Sequence, residues 1–132
     1  MEPPATGQPR QHVIVCGLAG IGLRVVEQFH LSGTDVVVID DSGGDRYDRL
    51  LSSWGVTFIK ASAHAEGFAE AGIDDAVAVV CVERDDVRTL ETALRVHELR
   101  PEIRLVVQLA NPSVAGALAR VTGSDSVLDA AA

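Results

Sequence analysis

The chain has 132 residues, enough for one domain with a proper core and too few for two ordinary ones. Its 11 Lys and Arg stand against 19 Asp and Glu, a net charge of -8 that would repel nucleic acid or an anionic membrane surface. Hydrophobic residues make up 47% of the chain but aromatics only 4%, an aliphatic balance that suits parallel strands buried between helices. The longest apolar stretch, residues 76–82, is far too short to span a bilayer.

The first eleven residues are polar and hold three prolines, with neither a signal-peptide nor a myristoylation pattern. They read as a disordered tail, 1–11, ahead of a domain over 12–128 and a truncated end at 129–132. The run His12-Val13-Ile14-Val15-Cys16 predicts the first strand, and Gly17-Leu18-Ala19-Gly20-Ile21-Gly22 follows directly. A strand, a glycine turn and a helix start in that order form a phosphate cradle, because backbone N–H groups and the helix dipole both favour an anion there. The plainer alternative is a tight turn required for packing alone. Ile21, Val25, Val26 and Phe29 recur at helical spacing, and Ser32-Gly33 closes that helix. Val36-Val37-Val38-Ile39 predicts the second strand, ending on Asp40 about 20 residues beyond the turn, where a carboxylate can accept hydrogen bonds from ribose hydroxyls. Asp41 follows instead of an arginine, so a 2′-phosphate is expected to be repelled and NAD or an adenosine nucleotide favoured over NADP.

Ser42-Gly43-Gly44 reads as a turn, and Tyr47, Leu50, Leu51 and Trp54 mark a second helix stopped at Gly55. Residues 56–59 predict strand three. Residues 61–71 read as a loop and a short helix ended by Gly72, and residues 76–82 as a central strand buried on both faces. Asp85 or Asp86 can cap the next helix, whose buried stripe is expected to be Val87, Leu90, Leu94 and His97, with Arg88, Glu91, Arg95 and Glu98 outside it. Arg100-Pro101 breaks that helix, residues 103–107 predict strand five, and Asn111-Pro112 opens a last helix with Val114, Leu118 and Val121 inward. Ser126-Val127-Leu128 is a short candidate sixth strand.

Strands alternating with helices over short connections predict an α/β, Rossmann-like doubly wound parallel sheet with helices on both faces. The expected order is 3-2-1-4-5, with 6 at the edge. Strand order then reverses between strands one and four, where such folds bind ligands.

With these elements laid out, the chain resembles the RCK or TrkA-N family, the regulatory nucleotide-binding domain of potassium channels and transporters. The resemblance covers residues 12–128. It rests on the glycine turn with Asp40, on Trp54-Gly55-Val56, on Ala71-Gly72-Ile73-Asp74-Asp75-Ala76, on Glu83-Arg84-Asp85-Asp86, and on Arg100-Pro101-Glu102-Ile103. Three positions depart from the family pattern. Ala19 stands where glycine is usual, Ala61-Ser62-Ala63 replaces Gly-Asp-Ala so that a hydroxyl stands for a carboxylate near the adenine edge, and Gln108 replaces an arginine.

The resemblance implies a cytosolic binding module that takes NAD or NADH, or alternatively AMP, ADP or ATP. Gly17, Leu18, Ala19, Gly20, Ile21 and Gly22 would bind it, with Asp40, Asp41, Ala61, Ser62, Ala63, Cys81, Val82 and Glu83. It implies a potassium channel or transporter subunit as membrane partner, a place at the inner face of the membrane, and a homodimer or higher homo-oligomer. That association is expected along Val87, Leu90, Leu94 and Val114. No catalytic and no metal-binding residue is expected, and no nucleic-acid partner. Related regulators continue into a crossover helix and a smaller C-terminal lobe, so a longer parent protein is expected. The competing readings are the cofactor half of an NAD-dependent oxidoreductase and a degenerate Rossmann module kept for self-association; against the first, such enzymes need a proton donor and a substrate pocket, generally on further chain, and no Tyr-x-x-x-Lys pair of a short-chain dehydrogenase exists.

Cys16 and Cys81 are expected as small buried hydrophobes in a reducing compartment, with thiols close together if strands one and four are neighbours, and redox chemistry as the lesser alternative. His64 is expected to be solvated in a loop near the adenine side. His97 is expected to be packed.

Overall fold

Short aliphatic runs buried on both faces must satisfy their backbone N–H and C=O groups against one another, which aligns them side by side in a sheet. The computed structural model describes residues 11–41, 45–122 and 127–129. The strands are β1 (Val13–Cys16), β2 (Val36–Ile39), β3 (Thr57–Ile59), β4 (Ala78–Cys81), β5 (Arg104–Leu109) and β6 (Val127–Asp129). Every pairing is parallel, in the order β3-β2-β1-β4-β5-β6. The helices are α1 (Gly22–Leu31), α2 (Asp48–Ser53), α3 (Ala65–Glu70), α4 (Asp86–Leu99) and α5 (Pro112–Thr122), with a 3₁₀ turn at Ile73–Asp75.

Alternating strand residues feed two core layers. Val13, Val15, Val36, Val38 and Val80 pack with Val26 of α1 and Leu51 of α2. Ile14, Cys16, Val37, Ile39, Val79 and Cys81 pack with Phe68 of α3, Ala93 and Val96 of α4, and Ala115 and Leu118 of α5. Helices α1 and α2 therefore cover one face and α3, α4 and α5 the other. The chain changes face between β3 and β4, and the strand order reverses at the β1–β4 pair, as expected from the sequence.

Four details differ from the sequence expectations. The buried seam of α4 is Thr89, Thr92, Ala93 and Val96, whereas Val87 is 65% exposed and Leu90, Leu94 and His97 are half-buried. A helix packed over the adjoining β4 and β5 strands approaches closely through small residues, and the larger Leu90 and Leu94 flank that contact. On α5, Val121 is 63% exposed and Ala115 takes the inward place beside Leu118. Strand β4 begins at Ala78, because Ala76 belongs to the turn that follows the 3₁₀ segment. That segment itself had no periodic signal. The expected tail over 1–11 and the end at 129–132 lie outside the described residues except for Gln11 and Asp129, and so does the Ser42-Gly43-Gly44 turn.

The segment from Ala71 to Ala76 is held from two sides. His12 Nε2 donates to the Ala71 carbonyl at 2.7 Å from within the core, a bond that requires the proton on that nitrogen. Arg100 Nη1 donates to the carbonyls of Ile73 at 2.7 Å and Ala76 at 2.9 Å. Asp85 caps α4 by accepting from the Arg88 amide at 2.9 Å, while Asp86 accepts from the amides of Ala110 and Asn111 at 2.8 and 2.9 Å. The two acids weighed as alternative caps thus do different work, one starting α4 and the other fastening it to the end of β5.

Candidate functional site

Parallel strands all end on the same edge, so every loop that follows a strand opens onto one rim. Gly17 to Gly22 leaves β1 there, Asp40 and Asp41 leave β2, Ala61 to Ala63 follow β3, and Cys81 to Glu83 close β4. The fold therefore brings the sequence-predicted residues to one edge, around the point where strand order reverses.

The glycine turn is close-packed. A methyl on Gly17 would lie 2.7 Å from the Val82 carbonyl oxygen and 2.8 Å from Glu83 Cα, and one on Gly22 would collide with the Gly17 carbonyl. These contacts give Gly17 and Gly22 a packing reason of their own. The turn also carries a feature that packing does not need. Among the described residues, the amides of Leu18, Ala19, Gly20 and Ile21 have no backbone acceptor, while Gly17 donates to Ile39 and Leu23 to Leu18. Four successive amides immediately ahead of a 10-residue helix suit an anion, through both their N–H groups and the helix dipole. The residues present therefore fit a phosphate or pyrophosphate.

The side chains here differ in access. Leu18 and Cys81 are buried, Ala19 is half-buried, and Gly20 and Ile21 are exposed. Asp40 is buried to 4% exposure directly past β2. Cys16 and Cys81 are register partners, both fully buried and on the same core layer, so the thiols are neighbours as expected. The hydrogen bond with Cys81 and burial push the Cys16 thiol up, which keeps it protonated and unreactive.

On the α3–α4 side of the rim a polar network joins three loops. Arg88 Nη2 donates to both carboxylate oxygens of Asp41 at 2.9 Å, and Ser62 Oγ donates to Asp41 Oδ2 at 2.8 Å. Thr92 Oγ1 donates to Glu83 Oε2 at 2.6 Å, and Glu83 Oε1 lies 4.0 Å from Arg88. The Arg88 hydrogen bond holds the Asp41 carboxyl below its ordinary range, whereas burial pushes the Glu83 carboxyl up. A cavity of about 180 Å³ beside the network is lined by Ser62, Ala63, His64, Glu83, Arg88, Glu91, Thr92 and Arg95. His64, expected in a solvated loop, is exposed at that cavity's edge and precedes α3.

The sequence pattern puts Arg88 outside the buried stripe of its helix. The structure turns it to the rim, because helical side chains lean toward the N-terminus and Arg88 sits in the first turn of α4. Its place three residues after a capping aspartate is the sequence signal that points there. Asp41 is correspondingly not the isolated anion that the sequence implied.

Residues 13–129 match the family model of the TrkA-N domain. The chain belongs to the TrkA-N domain family. This TrkA-N domain is similar in fold to the TrkA-N domain of the inner membrane protein ybaL from Escherichia coli, at 18% identity and a TM-score of 0.80, covering 93% of this chain and 90% of that one. It is similar to the GsuK channel bound to NAD, at 19% identity and a TM-score of 0.75 over 96% of this chain. The domain spans only 22% of that channel's chain. The Shewanella denitrificans Kef CTD in its AMP-bound form matches at 19% identity and a TM-score of 0.75, over 89% of this chain and 70% of that one. No curated protein sequence matches the chain. Among the described residues, no helix is long and apolar enough to cross a membrane, and no cluster of side chains is suited to hold a metal ion.

Proposed function

We propose that this domain senses NAD(H) or an adenosine nucleotide, AMP, ADP or ATP, and passes its occupancy to a membrane-embedded potassium channel or transporter subunit from the cytoplasmic side. The observation that carries the reading is the run of four amides without a backbone acceptor among the described residues just ahead of α1, next to a carboxylate at the end of the neighbouring strand. In this reading the phosphates lie over Leu18 to Ile21 and Asp40 accepts from the ribose hydroxyls. Ala61, Ser62 and Ala63 border the adenine, with Asp41 beside them, and Cys81, Val82 and Glu83 form the facing edge. The rim residues bind and orient the nucleotide, and no chemical step is assigned to them. The NAD-bound GsuK channel and the AMP-bound Kef CTD support both the ligand class and the link to a transport partner.

Thermal-shift measurements with NAD, NADH, AMP, ADP and ATP test the reading. Ligand at a hundred times its dissociation constant stabilises by about 2.7 kcal/mol, on the order of 10 °C for a domain of this size. Asp40→Ala is expected to weaken NAD by roughly one to two decades, the value of a charge-assisted ribose contact, with the far-ultraviolet spectrum unchanged. A flat panel across all five nucleotides, or equal NAD affinity in Asp40→Ala, contradicts the assignment.

A further inference from the structure

The Arg88–Asp41 ion pair lies on the rim where the proposed nucleotide would place its adenosine ribose, and phosphate binding over the glycine turn gives it no part. Asp41 directly follows Asp40, and its Oδ2 also accepts from Ser62 Oγ at 2.8 Å. The two side chains of the pair are 29% and 30% exposed, so the interaction is neither bulk-solvated nor sealed in the core. A single Arg88 nitrogen, Nη2, makes both contacts to Asp41. Among the described residues Nε and Nη1 have no hydrogen-bond partner, which leaves most of a five-donor guanidinium uncommitted at the edge of the crevice.

Two charges compete for any anionic group that arrives there. Asp41 repels it, and Arg88 attracts it while also cancelling Asp41. We propose that Arg88 is a specificity-determining residue of the nucleotide site: it neutralises Asp41 and supplies the guanidinium that an additional phosphate on the adenosine ribose would engage. The inference rests on the nucleotide reading given above. The discrimination against a 2′-phosphate that Asp41 implies in the sequence then depends on the pair, not on Asp41 alone. Releasing Arg88 from Asp41 should open the site to 2′-phosphorylated adenosine nucleotides. Removing Arg88 should close it further.

The test is calorimetric, with 5′-AMP and adenosine 2′,5′-bisphosphate as probes, which differ only by the ribose phosphate. Unliganded melting temperatures serve as the fold control. Asp41→Asn keeps the shape and removes the charge, and it should raise the affinity ratio of bisphosphate to AMP by about tenfold, the range of one charge-assisted hydrogen-bonded contact. Arg88→Gln should lower that ratio below the unsubstituted value. In the Asp41→Asn, Arg88→Gln double variant the tenfold gain should vanish, whereas a merely structural pair would change both affinities alike. A ratio that stays constant across the variants while AMP still binds, or a gain that persists in the double variant, overturns the role of Arg88 and leaves the nucleotide site standing. Failure of the unsubstituted protein to bind either probe or NAD overturns the site and this inference together.

Discussion

Gly17 has a φ of 103°, a conformation that side-chain-bearing residues rarely adopt, and a methyl there would meet the backbone of Val82 and Glu83 at 2.7–2.9 Å. Gly17→Ala therefore combines backbone strain with overpacking, and the expected cost is about 3 kcal/mol or more in urea denaturation. A loss of only a few tenths would mean that the β1–β4 contact is slack. Glu83 gives a prediction of the opposite sign. Its carboxyl is pushed above the ordinary 4.5, first by burial. The native state then holds a proton that the unfolded chain has released, so stability falls as pH rises from about 4.5 through the raised value. Glu83→Gln should flatten that slope and raise the melting temperature at neutral pH, while the amide oxygen can still accept from Thr92. Asp41, held below its ordinary 3.8 by Arg88, contributes stability that is lost only as pH falls below that value.

Two of the signature segments recognisable in the sequence turn out to be one construction. Ala71-Gly72-Ile73-Asp74-Asp75-Ala76 makes a 3₁₀ turn whose carbonyls point outward, and Arg100 from the end of α4 caps two of them with hydrogen bonds of 2.7 and 2.9 Å. Arg100→Gln should leave the partly buried Ala76 carbonyl unsatisfied and the Ile73 carbonyl with only its 3.4 Å bond from the Ala76 amide, and cost about 2 kcal/mol, measured by chemical denaturation at neutral pH. A loss below about 0.5 kcal/mol would show that water replaces the guanidinium freely. Helix α4 also shows how far periodicity carries. The helix itself, its Asp85 cap and its end at Arg100 follow from local chemistry. Its seam does not, because Thr89, Thr92 and Ala93 are weak hydrophobes whose burial depends on how closely the neighbouring strands stand.

For the whole molecule, the same shift of seam has a consequence. Val87 is exposed, and Leu90 and Leu94 pack against the core yet are covered only in part, so α4 presents a partly uncovered apolar strip. The self-association that the family resemblance implies would use that strip. Val87→Asp should shift the protein toward monomer in light scattering while changing unfolding stability by less than about 0.5 kcal/mol, as for an ordinary surface substitution. Each copy carries a net charge of -8, so association should strengthen when salt is raised from about 20 to 150 mM and screens the mutual repulsion. A monomer at every protein and salt concentration would remove the self-association that the resemblance implies.

By itself the sequence determined what depends on neighbours along the chain. The aliphatic runs, glycine punctuation and caps name the strands and helices, and their alternation with short crossovers leaves a parallel sheet with its reversal between β1 and β4 as the consistent topology. The glycine turn and Asp40 were legible for the same reason, since their spacing from the strands puts them on the rim. Tertiary structure alone decided which charges meet. Asp41, Ser62 and Arg88 come from two separate loops and a helix, and only the side-by-side order of β3, β2, β1 and β4 brings them within hydrogen-bonding reach, with Glu83 4.0 Å from Arg88. A charge read in sequence has a sign but no partner, and in a half-buried rim the partner decides what that charge does to a ligand.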